Sequence, residues 1–400
     1  MRYFSLTALS LVFAISACVY EPEQFEASDE DSSGSNSGMI SEFGSLFAVN
    51  GGKQICNPSV SQDTLNYPAS MLWLNFGGKL NVKAPDSVYT VEKVVQHDRL
   101  SVSDTSGKVL WYLMRDTAAG DCQFQDPEWS THPNFIVALR AFDTKRNKAC
   151  ESLDYGLFAV RMIDKKKFYF YEKDISEFAT PHLWVDPSVV LADSVSTSKA
   201  DSTVEGFFGT KRVRLVYVNK KDRLVFVDFA NGGIKKAMTL KKPSEVEDWM
   251  MDSPLISPDG NFVVYNMINS SMTGWKSFVQ ELSEDAKPVE IEKTSDMISE
   301  PVQPHWFQYG ARLFVEWTEF PQGSQFVNKN DLTASSVQNG SAGRTAMREI
   351  SLVAGAPADL AFAWVGDVLE LAPVPLIGGR SPDGRFVATG TNNGYLLELP

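Results

Sequence analysis

A short segment that recurs along the second half of the chain constrains the fold more than any other feature. Pro254-Leu-Ile-Ser-Pro-Asp-Gly260-Asn-Phe-Val-Val-Tyr265 returns as Gly378-Gly-Arg-Ser-Pro-Asp-Gly384-Arg-Phe-Val-Ala. Three degenerate copies keep the frame: Pro127 to Leu139, Pro181 to Leu191, and Pro304 to Val315. A sixth is expected at Pro68 to Val82. Repetition at a fixed frame is the signature of stacked supersecondary units, none of which buries its apolar faces alone. In the intact copies the proline presets φ for a tight turn. Asp259 and Asp383 can bond their own backbone, and Gly260 and Gly384 take the positive φ that follows. The run after each turn, such as Phe262-Val-Val-Tyr265, is β-branched and aromatic, as a buried strand requires. A turn, two apolar strands and a more polar edge make a four-stranded blade.

With Ser257-Pro-Asp-Gly260 and Ser381-Pro-Asp-Gly384 in view, the repeat resembles that of the TolB-like, or WD40-like, propellers of bacterial envelopes. The resemblance covers about residues 127–400 and implies an all-β fold whose blades ring a central channel. It places the first strand of each blade on the channel and the turn over it. The frame positions 127, 181, 254, 304 and 378 are separated alternately by about fifty and about seventy-five residues. A blade needs ~40–45 residues, so the longer intervals carry insertions. Five blades follow directly, and 68–126 furnishes a sixth. Only one strand follows Gly384-Arg-Phe-Val-Ala, so a strand near Ser45 to Val49 is expected to complete the last blade and close the ring. The expectation is a β-propeller of about six four-stranded blades spanning 46–400.

The first residues point to export. Met1-Arg2-Tyr3 is a short basic start, and Phe4 to Ala14 an apolar run too short to span a bilayer. Ile15-Ser16-Ala17-Cys18 resembles the bacterial lipobox. That resemblance implies a signal peptide over 1–17, cleavage before Cys18, and acylation (palmitate-type chains) of Cys18. Two or more acyl chains suffice for a stable membrane anchor. Val19 in place of aspartate favours, on the same resemblance, the outer membrane, on its periplasmic or its surface face. Residues 18–45 read as a tether: acidic, then Ser-Ser-Gly-Ser-Asn-Ser-Gly, with too little apolar surface to offset ordering. As a flexible coil it would reach about 25–30 Å. Outside Cys18, the cysteines are Cys56, Cys122 and Cys150, so one disulfide and one thiol are expected. Three pairings are open, and the repeat favours Cys122–Cys150 by placing both in one blade.

The formal net charge of −13 argues against nucleic acid and anionic lipid surfaces, which need a basic patch. Hydrolase, phosphate-loop and metalloprotease signatures are absent from the sequence. Ser103-Asp-Thr-Ser-Gly107-Lys-Val-Leu-Trp111 reads as a hairpin turn. No cofactor and no metal site is expected. Two sets of residues remain as candidates. His182 and His305 share one repeat position, each after a proline and beside a tryptophan. They form either a polar site at the channel mouth or inherited packing on Trp184 and Trp306. The insertions Thr197 to Lys211 and Gln322 to Arg344, with Ser270 to Trp275, are taken to join second and third strands and so to share a face. Phe207, Phe208, Trp275 and Phe326 would then gather there as an aromatic surface for a protein or glycan partner. The function expected is an envelope binding or scaffolding module. The alternatives are a glycan-processing enzyme with its site at the channel mouth, and a purely structural member of a complex.

Overall fold

A computed structural model describes residues 39–41, 44–49, 55–75, 97–145, 150–191, 202–229, 236–271, 273–322, 343–353, 355–356, 361–372, 374–389 and 394–400. Their strands form six sheets of four antiparallel strands each. Blade 1 is Ile55–Val60, Ser70–Asn75, Arg99–Asp104 and Val109–Met114. Blade 2 is Asp121–Trp129, Phe135–Asp143, Leu153–Arg161 and Lys166–Phe170. Blade 3 is His182–Val185, Val213–Val218, Leu224–Asp228 and Lys236–Thr239. Blade 4 is Met250–Ile256, Phe262–Ile268, Trp275–Glu281 and Val289–Glu290. Blade 5 is Val302–Tyr309, Arg312–Glu319, Arg344–Leu352 and Phe362–Ala372. Blade 6 joins the two ends of the chain, in the order Phe386–Thr389, Gly394–Glu398, Gly44–Val49 and Met39–Ser41. Its inner segment pairs irregularly with Phe386–Thr389 through the Arg380 bridge to Val387.

The ring is therefore a six-bladed β-propeller, closed by the N-terminal strand expected near Ser45 to Val49. Ser45 pairs with Glu398, and Val49 with Gly394. Two boundaries differ from the sequence reading. Met39–Ser41 and Gly44–Val49 are strands, within or overlapping the stretch 18–45 that reads as a tether. The sixth copy of the frame is not Pro68 to Val82, because the strand there, Ser70–Asn75, is the second of blade 1. Its frame proline is Pro58, on the first strand. Residues 1–38, which hold the signal segment and Cys18, lie outside the described residues.

The core lies between blades rather than within one layer. One apolar cluster joins blades 1 and 2 around Trp129 and Phe158, the next joins 2 and 3, and a third joins 3 and 4 around Trp184 and Tyr265. Each sheet is covered on both faces, which is why Phe262–Ile268 is buried at every position instead of alternating.

The repeated turn also links neighbouring blades. Within it, Ser257 Oγ bonds the Asp259 carboxylate and accepts from the Phe262 amide at 3.0 Å. Asp259 Oδ1 accepts from the Asn261 amide at 3.1 Å. Gly260 has φ 78°, and a Cβ there would meet the Trp184 ring at 2.6 Å. Trp184, from blade 3, donates its indole N–H to the Pro258 carbonyl at 2.8 Å. Glycine is thus required twice, by backbone hand and by the approach of the next blade.

Blade 2 carries the Cys122–Cys150 disulfide, with Cα atoms 5.8 Å apart. Cys56 is disulfide-bonded as well, where the sequence reading left a thiol.

Candidate functional site

The first strands converge on the ring axis, and in five blades the backbone turns left-handed at one shared position. Asn57, Asp126, Thr180, Ser253 and Gln303 all have positive φ, between 36° and 53°. Each directly precedes the frame proline of its blade. The ladder shifts register there in blades 1, 2, 4 and 5. A proline cannot donate to the ladder, so the strand buckles at it. An L-residue held in the left-handed region costs about 1–2 kcal/mol. Five such residues around one axis mean that packing between blades over-determines the rim. In blade 6 the aligned residue is Ile377, and Gly378 replaces the proline. A Cβ on Gly378 would lie 2.1 Å from the Pro58 carbonyl oxygen, so blades 6 and 1 meet backbone to backbone. The Val60 amide donates to the Gly378 carbonyl at 2.7 Å.

Hydrogen bonds run along this rim from blade to blade. Asn57 Nδ2 donates to Asp126 Oδ1 at 2.8 Å, and the Thr180 amide approaches Asp126 Oδ2 at 3.4 Å. The Ser253 amide donates to Thr180 Oγ1 at 3.2 Å, while Ser253 Oγ donates to Asp252 Oδ2 at 2.8 Å. Asp252 faces Asn266 across the ladder, and Asn266 Oδ1 accepts from the Gln303 amide at 3.0 Å. Burial pushes the Asp252 carboxyl up to about 6, with the Asp126 charge adding to the shift.

Two residues beyond the rim position, on blades 1, 2, 3 and 5, sits a second tier. Ser59 Oγ bonds the Glu128 carboxyl and accepts from the Trp129 amide at 3.1 Å. Burial raises Glu128 to about 8, so it is mostly neutral at pH 7. His182 Nδ1 accepts from the Ile256 amide at 2.9 Å, and the ring also bonds the Trp129 backbone. One imidazole thereby links blades 2, 3 and 4, with its proton on Nε2. Burial lowers its pKa to about 3, and nearby His305 adds to the lowering. His305, lowered to about 4 by burial, bonds the Gln303 carbonyl through Nδ1 at 2.9 Å. The Glu316–Arg380 ion pair, at 2.6 Å, lies buried between blades 5 and 6.

The space enclosed by the rim is small. Asn57, Asp126, Thr180, Ser253, Gln303 and His305 are among the residues lining a cavity of ≈ 60 Å³. Ligand pockets run about 300–1,000 Å³, whereas a water occupies about 30 Å³. Acids and bases are present, but the ring's own backbone and side chains occupy them. Among the described residues, no group of three His, Cys, Asp or Glu side chains is placed to hold a metal ion.

Among the described residues the aromatic surface is not found. Phe207 and Phe208 lie on a five-residue helix, Val204–Phe208, capped by Thr203, and both are fully buried. They pack against Phe135, Phe168 and Phe170 of blade 2. Arg161 closes over the Phe207 ring at 4.9 Å and donates to its carbonyl at 3.0 Å. Trp275 is buried with Ile268, Val302 and Phe320, and Phe326 lies outside the described residues. The insertions do not share a face either. Thr197 to Lys211 joins the first and second strands of blade 3, whereas Gln322 to Arg344 joins the second and third of blade 5. In antiparallel blades these connections emerge at opposite ends. The error came from Pro187 to Leu191, which imitates a second strand but is not one, Val190 being 90% exposed.

The rim residues themselves were missed. Their signal was the small polar residue before each frame proline: Asp126, Thr180, Ser253 and Gln303.

No family model matches the chain, and no curated protein matches it. Among solved structures, the chain is similar to a TolB candidate from Agrobacterium tumefaciens, at 12% identity and a TM-score of 0.40, over 89% of this chain and 97% of that one. It is also similar to AofleA from Arthrobotrys oligospora, at 7% identity and a TM-score of 0.42, over 88% and 86%. The β-propeller domain of the Trilobed protease from Pyrococcus furiosus aligns at 13% identity and a TM-score of 0.36, over 80% and 67%. At these values the likeness carries no argument about activity or partner, and the six-bladed fold stands on the chain's own strand pairing.

Proposed function

We propose that this chain is a TolB-like envelope lipoprotein, anchored through Cys18 in the outer membrane, whose propeller binds or scaffolds a protein or glycan partner. The observation that carries the binding reading is the rim: its polar groups are engaged, and its cavity of ≈ 60 Å³ is well below the about 300–1,000 Å³ of ligand pockets. Contact with a partner then falls to the outer faces. Leu65, Val190 and Tyr309 are 89%, 90% and 65% exposed and lie at connections between first and second strands, on one face of the ring. The glycan-processing alternative needs carboxylates open to a sugar ring, and Asp126 and Glu128 line a cavity of ≈ 60 Å³, below the size of ligand pockets.

Photo-crosslinking residues placed at Leu65, Val190 and Tyr309 in cells test the binding face, with Tyr171 on the outer edge of blade 2 as control. Adducts with one partner at the three positions and none at Tyr171 support it. Equal crosslinking everywhere, or none, removes it. Palmitate labelling of the whole protein and of Cys18→Ala tests the anchor. Label on the whole protein and none on Cys18→Ala supports the anchor, and the mass of the Cys18 peptide reads the lipid directly.

A further inference from the structure

Away from the rim, the third and fourth strands of blades 4 and 5 are joined by the connections 282–288 and 353–361. Glu281 fastens one blade to the other, its Oε1 accepting from the Gly355 amide at 2.7 Å. Between the two connections lies a cavity of ≈ 170 Å³, larger than the one at the rim. In an antiparallel blade, the connection from third to fourth strand emerges at the same end as that from first to second. The crevice therefore belongs to the face that carries Leu65, Val190 and Tyr309.

Size and lining together narrow what fits there. An apolar cavity of about 150 Å³ takes one benzene ring, so this crevice takes a single six-membered ring and not two. Its lining is divided. Phe262, with no exposed surface, and the partly buried Phe362 supply aromatic walls. Glu281, Ser283, Asp285 and Lys287 supply polar groups, Asp285 and Lys287 being exposed. A ring with apolar C–H faces and hydroxyls around its edge matches both halves. Its faces pack on the phenylalanines, and its hydroxyls, which donate and accept, meet carboxylate, hydroxyl and ammonium. Asp285 Oδ1 already accepts from Lys241 Nζ at 2.9 Å, which leaves Glu281 and Lys287, of opposite sign, to face the ring. Their charges cancel, so a uronate or an amino sugar would bring a charge with no counterpart. Pockets for whole small ligands run about 300–1,000 Å³, so the ring is one unit of a chain whose remainder lies in solvent. We propose that the crevice between blades 4 and 5 binds the terminal, uncharged hexopyranose residue of a glycan. This rests on the reading of the propeller as a binding module, and it names a glycan for this part of the face. With Asp285 engaged, one carboxylate is left for the ring, whereas glycoside hydrolysis uses a pair, so the site holds the sugar without cleaving it.

The test is saturation-transfer NMR on the whole protein. The probes are the methyl glycosides of glucose, galactose, mannose and N-acetylglucosamine, with glucuronate, glucosamine and leucine as charged counterparts. At least one neutral glycoside is expected to bind. Its affinity should fall about tenfold in Lys287→Ala and severalfold in Ser283→Ala, each with an unchanged thermal transition. Lys108→Ala, in the corresponding connection of blade 1, should leave binding as it is. Absence of saturation transfer to every neutral glycoside at tens of millimolar overturns the proposal. So does binding that Lys287→Ala and Ser283→Ala both leave unchanged, or a preference for any of the charged probes. Should glycosides fail while crosslinks at Leu65, Val190 and Tyr309 still capture one partner, the sugar site falls alone and the binding face stands.

Discussion

Truncating one ring on the small helix tests whether the insertion of blade 3 belongs to the core. Phe208 has no exposed surface, and its ring centre lies 4.9 Å from Phe135, 5.5 Å from Phe168 and 4.8 Å from Phe207. A buried phenylalanine removes about 150–250 Å² from water, which at about 25 cal/mol per Å² is an upper estimate of about 4–6 kcal/mol. Measured Phe→Ala changes in cores cost about 3–5 kcal/mol, so Phe208→Ala is expected to destabilise the ring by about 4 kcal/mol. Phe208→Leu keeps most of the volume and should cost less than about 1.5 kcal/mol. Urea unfolding followed by tryptophan fluorescence reads both, as a lowered midpoint at unchanged slope. A loss below about 1 kcal/mol for Phe208→Ala would refute the reasoning. So would cleavage near residues 204–208 with the global midpoint unmoved, since the insertion would then undock by itself.

Three further outcomes follow from the same geometry. Gly260→Ala should cost at least about 2 kcal/mol, from its positive φ and the Trp184 ring, whereas Gly310→Ala, at φ 59° with no atom within 4 Å, should cost only the strain of about 1 kcal/mol; chemical denaturation compares them. Replacing Cys122 and Cys150 by serine opens a link spanning 28 residues and should lower stability by about 3–4 kcal/mol in the same assay, with a chain-entropy origin. Deleting the chain through Val49 removes the strand paired with Gly394–Glu398, and the ring should lose its single cooperative transition in calorimetry; a sharp, unshifted transition would count against closure by that strand.

The repeat was legible because its turn chemistry is local. Ser-Pro-Asp-Gly specifies its conformation within four residues, and Phe262 to Tyr265 announces burial by composition alone. Closure by the N-terminal strand followed from counting strands, and Cys122–Cys150 from placing both in one blade. The insertions were misread for a physical reason. Phe207 and Phe208 stand in a polar stretch, and nothing near them in sequence shows that the helix folds back onto Phe135 and Phe168 of another blade. The rim was only half legible. The polar residue before each frame proline can be seen, but a positive φ at Asp126, Thr180 or Ser253 arises from packing between blades and has no local sequence cause.

The pairing of Ser45–Val49 with Gly394–Glu398 also orders events in time. Ser45–Val49 is made before its partner Gly394–Glu398, and the five blades between them must emerge before the two can meet. Until then Leu46, Phe47 and Val49 belong to an open strand edge, a template for pairing with other chains. Closing so long a loop is slow compared with forming a hairpin within a blade. Folding is therefore expected to proceed blade by blade and finish with a single late joining step, leaving the incomplete ring most open to misassembly just before its last strand arrives.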